Sequence, residues 1–154
     1  MLKWIWLSVV VIALDQLTKQ LATAHFELYE SLAVTPLFNL TLVHNTGAAF
    51  SFLADGGGWQ RWFFAGIALL VSLGILFWLK QLSRDKRWEA LGLALVMGGA
   101  IGNLIDRVLY GYVVDFLDFY YGNAHWPAFN VADIAISLGA AILIIDSLRP
   151  QRQS

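Results

Sequence analysis

Cysteine is absent from the 154 residues, which removes disulfides, thiolate metal ligands and cysteine nucleophiles together without fixing a compartment. Charge is scarce: Asp, Glu, Lys and Arg make up 14% of the chain, against about 25% in a soluble domain. The three histidines, His25, His44 and His125, belong to no HExxH sequence, so a zincin-type metal site lacks its ligands. No GxSxG occurs, which weakens a nucleophile-elbow reading but leaves other serine chemistry open. There is no Walker A sequence to suggest ATP drive. The formal net charge is −1, so nucleic acid finds no electrostatic footprint.

Apolar sequence fills the space. Hydrophobic residues make up 58%, with seven Trp, and the mean hydropathy is +0.63. These values describe a membrane protein. Four stretches, about 4–22, 60–79, 89–107 and 131–148, approach the roughly 20 residues that a spanning helix requires. They predict a mainly α, four-transmembrane-helix bundle forming one domain, with long connections at about 23–59 and 108–130. The first stretch has a rival reading. Lys3, the apolar run after it and Ala22-Thr23-Ala24 imitate a cleavable signal peptide. Asp15 and Lys19, one helical turn apart, form a potential ion pair for which a signal peptide has no need.

Lys80, Arg84, Lys86 and Arg87 cluster between the second and third stretches, Lys3 precedes the first, and Arg149 and Arg152 follow the fourth. The positive-inside rule puts these positions, and so both termini, in the cytoplasm, with both long connections outside. That orientation collects the polar residues at one depth. Asp15 and Lys19 fall in the outer half of span one, Asn103, Asp106 and Arg107 close the outer end of span three, and Asp133 opens span four. Ionisable groups in apolar sequence are costly, and their clustering at one interface marks a candidate site.

Leu37–Val43 alternates, with Phe38, Leu40 and Leu42 on one face, and reads as a half-buried strand. His44-Asn45-Thr46-Gly47 reads as a turn, with Ala48–Phe52 able to pair back, and Gly56–Gly58 as a hinge before the interfacial Trp59 and Trp62. Together they predict a small extracytoplasmic sheet, or cradle, between spans one and two. Tyr112–Tyr121 is also strand-like and aromatic. The sequon Asn39-Leu40-Thr41 carries no weight.

Asp115 and Asp133 are the candidate catalytic carboxylates. Two such groups brought together share a proton, so one can act as base on water while the other donates to a carbonyl oxygen. The bland alternative makes one a turn residue and the other a helix N-terminal charge. Arg107 and Asn103 either position a substrate or carboxylate, or form a clamp in which Arg107 neutralises Asp106 or Asp15. Asn45 and Asn130 read as turn or N-cap residues, and Asp15 with Lys19 as a structural pair. Gly98 and Gly102 form a close-packing surface. Alternation puts Asp118 on the face opposite Asp115 and gives it no role. From residues alone, an aspartyl peptidase, a small transporter with an outer ion site and a non-catalytic assembly factor all remain open.

Five ordered elements carry a resemblance. Asp15-Gln-Leu-Thr-Lys19, His44-Asn-Thr-Gly-Ala-Ala-Phe50, Gly98-Gly-Ala-Ile-Gly-Asn-Leu-Ile-Asp-Arg107, Val113-Val-Asp-Phe116 and Phe129-Asn-Val-Ala-Asp133 resemble the DQxTK, NxGxAF, GGxxGNxxDR, VxDF and FNxAD elements of the bacterial lipoprotein signal peptidases, also called signal peptidase II. The resemblance covers nearly the whole chain. It implies an inner-membrane aspartyl endopeptidase that removes the signal peptide from a diacylglyceryl-modified prolipoprotein, just before the lipidated cysteine. Asp115 and Asp133 would be its dyad. Asn45, Asn103, Arg107 and Asn130 would line or support the site, and Asp15 and Lys19 would stabilise it. It implies no metal or organic cofactor, a monomer among phospholipids, and inhibition by globomycin-type cyclic peptides.

Overall fold

The computed structural model describes residues 1–47 and 57–149. Their elements, in chain order, are α1 (Ile5–His25), β1 (Ser31–Thr35), β2 (Phe38–Asn45), α2 (Trp59–Gln81), α3 (Arg87–Leu109), β3 (Val113–Tyr121), β4 (Ala124–His125) and α4 (Val131–Ser147). A 3₁₀ turn at Leu2–Trp4 leads into α1.

Among the described residues, three helices are long and apolar enough to cross a membrane: Leu2–His25, Trp59–Gln81 and Arg87–Leu109. Their outward surfaces are apolar, with Trp6, Leu14, Trp62, Leu70 and Phe77 all exposed. Such a surface suits lipid, in which each helix satisfies its own backbone. At 17 residues α4 is the short member, about 25 Å of helix against roughly 30 Å of hydrocarbon. The fold is thus mainly helical with a small sheet, and the fourth span is not among these three.

α3 is the central and most enclosed of the three, and its small residues allow this. Gly98 lies against Ser8 and Val11 of α1, where an added Cβ would meet the Val11 side chain at 2.8 Å. At Gly102 an added Cβ would stand 2.6 Å from the Asp15 carboxylate. With no hydrophobic drive between helices in lipid, backbone proximity of this kind supplies the packing and lets short polar side chains meet.

The sheet corrects the expectation of a cradle built within one connection. Its order is β1-β2-β3-β4 and every neighbouring pair is antiparallel, so half of it comes from the connection between α3 and α4. β2 pairs forward with β3 and back with β1. The turn expected at His44–Gly47 therefore begins two residues late, since His44 and Asn45 still belong to β2. Ala48–Phe52 and Gly56 lie outside the described residues. Gly57 and Gly58 take positive φ values, 74° and 102°, immediately before α2, backbone that glycine adopts without strain.

One irregularity decides what faces the site. Leu40 pairs with Leu117 and Val43 with Asp115, so β2 spends one more residue than β3 over that interval, a β-bulge. In an unbroken ladder Leu42 would oppose Asp115, and His44 would share its face. The extra residue moves Val43 and Asn45 onto the Asp115 face instead. His44 is turned to the other side, where it stacks on Tyr112 with ring centroids 3.9 Å apart. On that same side Leu42, Val114 and Phe116 pack against Ala22 at the end of α1.

Candidate active site

Asp133 is the third residue of α4 and closes a capping box. Its backbone N–H donates to Asn130 Oδ1 at 3.0 Å, and Asn130 N–H donates to Asp133 Oδ2 at 3.2 Å. The cap satisfies two of the helix's orphan donors and places a carboxylate in its first turn. Asp115 projects from β3, almost wholly buried at 2% exposure. Both carboxylates line one cavity of about 660 Å³, together with Asn45, Asn103 and Arg107.

Three asparagines hold the two carboxylates, and chemistry fixes how each carboxamide points. Asn103 Oδ1 accepts from the Lys19 ammonium at 2.9 Å, a group that only donates. The Asn103 amide therefore faces the other way, donating to Asp133 Oδ1 at 2.8 Å. Asn130 Oδ1 is taken by the Asp133 N–H, so its amide donates to Asp115 Oδ1 at 2.7 Å. Asn45 Oδ1 accepts from Gly47 N–H at 3.0 Å, and its amide donates to Asp115 Oδ2 at 3.0 Å. Each oxygen is tied to a donor and each NH₂ is turned on a carboxylate. Asn45 and Asn130 thus keep the turn and cap roles that the sequence suggests and add a second one.

Behind them sits a saturated ammonium. Lys19 Nζ meets Asp15 Oδ2 at 2.8 Å, Asp106 Oδ2 at 2.9 Å and Asn103 Oδ1 at 2.9 Å, one acceptor for each of its three protons. Asp15 also accepts from the backbone N–H of Ala132 at 2.9 Å, and Asp106 from that of Val114 at 3.0 Å. These bonds pin the residues next to Asp133 and Asp115. Gln16, which the sequence reading passed over, donates to Asp106 Oδ1 at 2.8 Å and to the Gly102 carbonyl at 3.2 Å. It directly follows Asp15 inside an apolar run, and that polarity was its signal.

The direct ion pairs of Asp106 and Asp15 among the described residues are made by Lys19. The Arg107 guanidinium donates to the Gly47 carbonyl at 3.0 Å and lies over the Phe64 ring at 5.4 Å, which leaves it on the cavity wall beside the carboxylates. Arg61, also unanticipated, donates from Nε to the Arg107 carbonyl at 2.7 Å and from Nη2 to the Val108 carbonyl at 2.7 Å. It thereby caps the C-terminal carbonyls of α3.

Burial first, and then the neighbouring Asp133 carboxylate, push the Asp115 carboxyl from 3.8 up to about 7. The bonds from Asn45 and Asn130 and the Lys19 charge hold it down. Near neutrality a buried pair of this kind retains a proton and titrates as a unit. The described residues contain no cluster of His, Cys, Asp and Glu able to hold a metal ion.

The cavity continues away from the carboxylates as an apolar groove walled by Ile67 and Val71 of α2, Val96 and Ala100 of α3, and Ile134 and Leu138 of α4. From Asn103 to Val96 it descends about 10 Å along α3 at ~1.5 Å per residue. Trp126, Pro127, Ala128 and Phe129 form its rim on the sheet side.

The sequence profile of the signal peptidase (SPase) II family matches residues 7–149. The lipoprotein signal peptidase of Alteromonas mediterranea is 53% identical over 148 residues, 96% of this chain and 81% of that protein. The lipoprotein signal peptidase of Photorhabdus laumondii is 53% identical over 146 residues, 95% and 87% of the two chains. A solved bacterial membrane enzyme superposes with a TM-score of 0.86 at 30% identity, covering 99% of this chain and 94% of the other.

Proposed function

The chain belongs to the signal peptidase (SPase) II family, and on that basis we propose that it is an aspartyl endopeptidase that removes the signal peptide from diacylglyceryl-modified prolipoproteins, cutting just before the lipidated cysteine. The observation that carries this reading is the placement of two asparagine-held carboxylates at the polar end of an apolar groove.

The chemistry follows from that placement. One carboxylate, ionised, takes a proton from water as its oxygen attacks the scissile carbonyl carbon. The other, protonated, donates to the carbonyl oxygen, giving a neutral gem-diol. The carboxyl that received the water proton passes it to the leaving amine, the gem-diol returns a proton to its partner, and the C–N bond breaks. The pair ends with the single proton it began with. Arg107 supplies a fixed positive charge at the same wall and favours the oxygen on which negative charge develops.

A signal peptide is an apolar helix, and the groove between α2 and α4 offers it apolar walls. With both termini and the Lys80–Arg87 loop in the cytoplasm and α4 as a fourth, short span, the carboxylates stand at the outer face of a bacterial inner membrane. There the cysteine's acyl chains stay among phospholipids while water enters from outside. The enzyme works as a monomer, without a metal or organic cofactor. Globomycin-type cyclic peptides compete for the groove.

The test is cleavage by purified protein of one prolipoprotein in its diacylglyceryl-modified and unmodified forms. The modified form is cut at the bond before cysteine and globomycin stops the reaction; the unmodified form is cut at least about 100-fold more slowly, the scale on which remote binding energy acts at the reacting bond. Equal cleavage of both forms, or of neither, contradicts the reading.

A further inference from the structure

Asp118 has no part in this chemistry, yet it is only 5% exposed. It sits on the face of β3 opposite Asp115 and is heavily bonded there. Asn39 opposes it across the β2–β3 ladder and donates to Oδ2 at 3.2 Å, and Thr41 donates to Oδ2 at 3.3 Å. His125 Nδ1 approaches both oxygens, at 3.0 and 2.9 Å. The His125 ring, half exposed, also stacks on Tyr120 with centroids 5.4 Å apart. A buried carboxylate with this many donors is an anchor, because each bond offsets part of its desolvation.

The anchor holds an element that is weak by itself. β4 has two residues and two ladder pairs, Tyr120 with His125 and Tyr121 with Ala124. Successive side chains of a strand point to opposite faces. His125 is tied to the back of the sheet, so Trp126 is turned to the front, with its N–H on the Phe119 carbonyl at 2.7 Å. There Trp126 begins the 126–129 rim of the groove. The far end of the rim is fixed where Phe129 bonds Leu117 in both directions, at 3.0 and 2.9 Å. The near end is held through β4 and through the Trp126 backbone N–H on the Phe119 carbonyl.

We infer that Asp118 and His125 are positioning residues, which set the Trp126 rim of the groove from the far side of the sheet and thereby set affinity for the peptide substrate without taking part in its hydrolysis. This rests on the peptidase reading above. Losing the pair loosens the β4 side of the rim before substrate binds, so binding must then order it, and the penalty appears in KM.

The measurement is steady-state kinetics on a synthetic signal peptide ending in a diacylglyceryl-cysteine segment. His125→Ala raises KM about fivefold, the scale of one ordinary hydrogen bond, with kcat unchanged within about twofold. His125→Asn restores a donor at the Nδ1 position and recovers most of the lost affinity. His125→Ala combined with Trp126→Ala gives the KM of Trp126→Ala alone, because the histidine acts through the rim. An unchanged KM in His125→Ala, a loss falling on kcat alone, or additive effects in the double variant would overturn the inference. Should His125→Ala not fold, Asp118→Asn carries the same test, with the same expected direction in KM. Asp115→Asn separates the two readings: if it stays active the peptidase reading fails, whereas an inactive Asp115→Asn beside an unperturbed His125→Ala removes only the positioning role.

Discussion

Asp115→Asn and Asp133→Asn each lower kcat by about 10³-fold or more, on the scale of removing general acid–base catalysis, while the protein still folds and inserts. An amide is nearly the size of a carboxyl but neither takes a proton from water nor shares one. A site with one carboxylate therefore cannot be acid and base in the same cycle. One of the two bonds at each position survives, because a carboxamide has a single acceptor oxygen: at position 133 the side-chain oxygen still accepts from Asn130 N–H and keeps the cap, while the Asn103 amide loses its acceptor. Stability separates loss of chemistry from loss of fold. Asp115 is raised to about 7 by burial, so its charged form is disfavoured in the folded state. Its contribution to stability falls as pH rises from the ordinary carboxylate range towards 7. Asparagine has no charge to desolvate, so Asp115→Asn leaves the melting temperature at pH 8 unchanged or raises it. Prolipoprotein processing and a thermal melt on one preparation read both effects.

Lys19→Met acts in the opposite way, first on the fold. The ammonium serves two carboxylates and a carboxamide at once and is only 3% exposed. Methionine fills the volume and removes the charge, leaving Asp15 and Asp106 buried without a counter-ion. Breaking a buried pair by deleting one partner costs about 3–5 kcal/mol, and unfolding in detergent shows a lower midpoint and a free energy of unfolding reduced by that amount. Activity falls as well, because Asn103 loses the donor that turns its amide towards Asp133. Replacing Asp15, Lys19 and Asp106 together with apolar residues of similar size recovers much of the stability, since no orphaned charge is left. A wild-type melting midpoint for Lys19→Met would remove the ammonium from its place as the hub of the site.

The helices and the candidate carboxylates were legible for the same reason: in a chain with 14% charge, each ionisable residue inside apolar sequence announces itself. Asp15, Lys19, Asn103, Arg107, Asn130 and Asp133 could be collected at one expected depth because a span's expected length and direction convert sequence position into height. What sequence could not supply was pairing across the chain. The strands at 37–43 and 112–121 were visible as alternations, but nothing local said that they pair with each other and divide the sheet between two connections. β1 was missed because all five of its residues are exposed, so it carries no alternation of burial. The bulge between Leu40 and Val43 is a matter of register, invisible in either strand alone, and it decides that Asn45 rather than His44 faces Asp115. Of the two readings open for Arg107, the clamp on Asp106 or Asp15 could not be weighed from sequence, because nothing local shows that Lys19, four residues from Asp15 on α1, meets both acids in space. Asp118 had no role in the sequence because its partners, Asn39 and His125, lie 79 and 7 residues away.

The central claim is that Asp115 and Asp133 work as one unit holding a single proton. The measurement that tests it most directly is the pH dependence of kcat/KM for a diacylglyceryl-modified prolipoprotein, from about pH 4 to about pH 9, a range that brackets carboxylate titration. The proton held by a raised carboxyl is present below its pKa and lost above it, so the account predicts a bell. Its alkaline limb bends near the value to which Asp115 is raised, about 7, and then falls about tenfold per pH unit. Its acid limb marks ionisation of the partner carboxylate at lower pH. A rate that climbs or stays level from neutrality to pH 9 would contradict a shared proton, and with it the two-carboxylate mechanism.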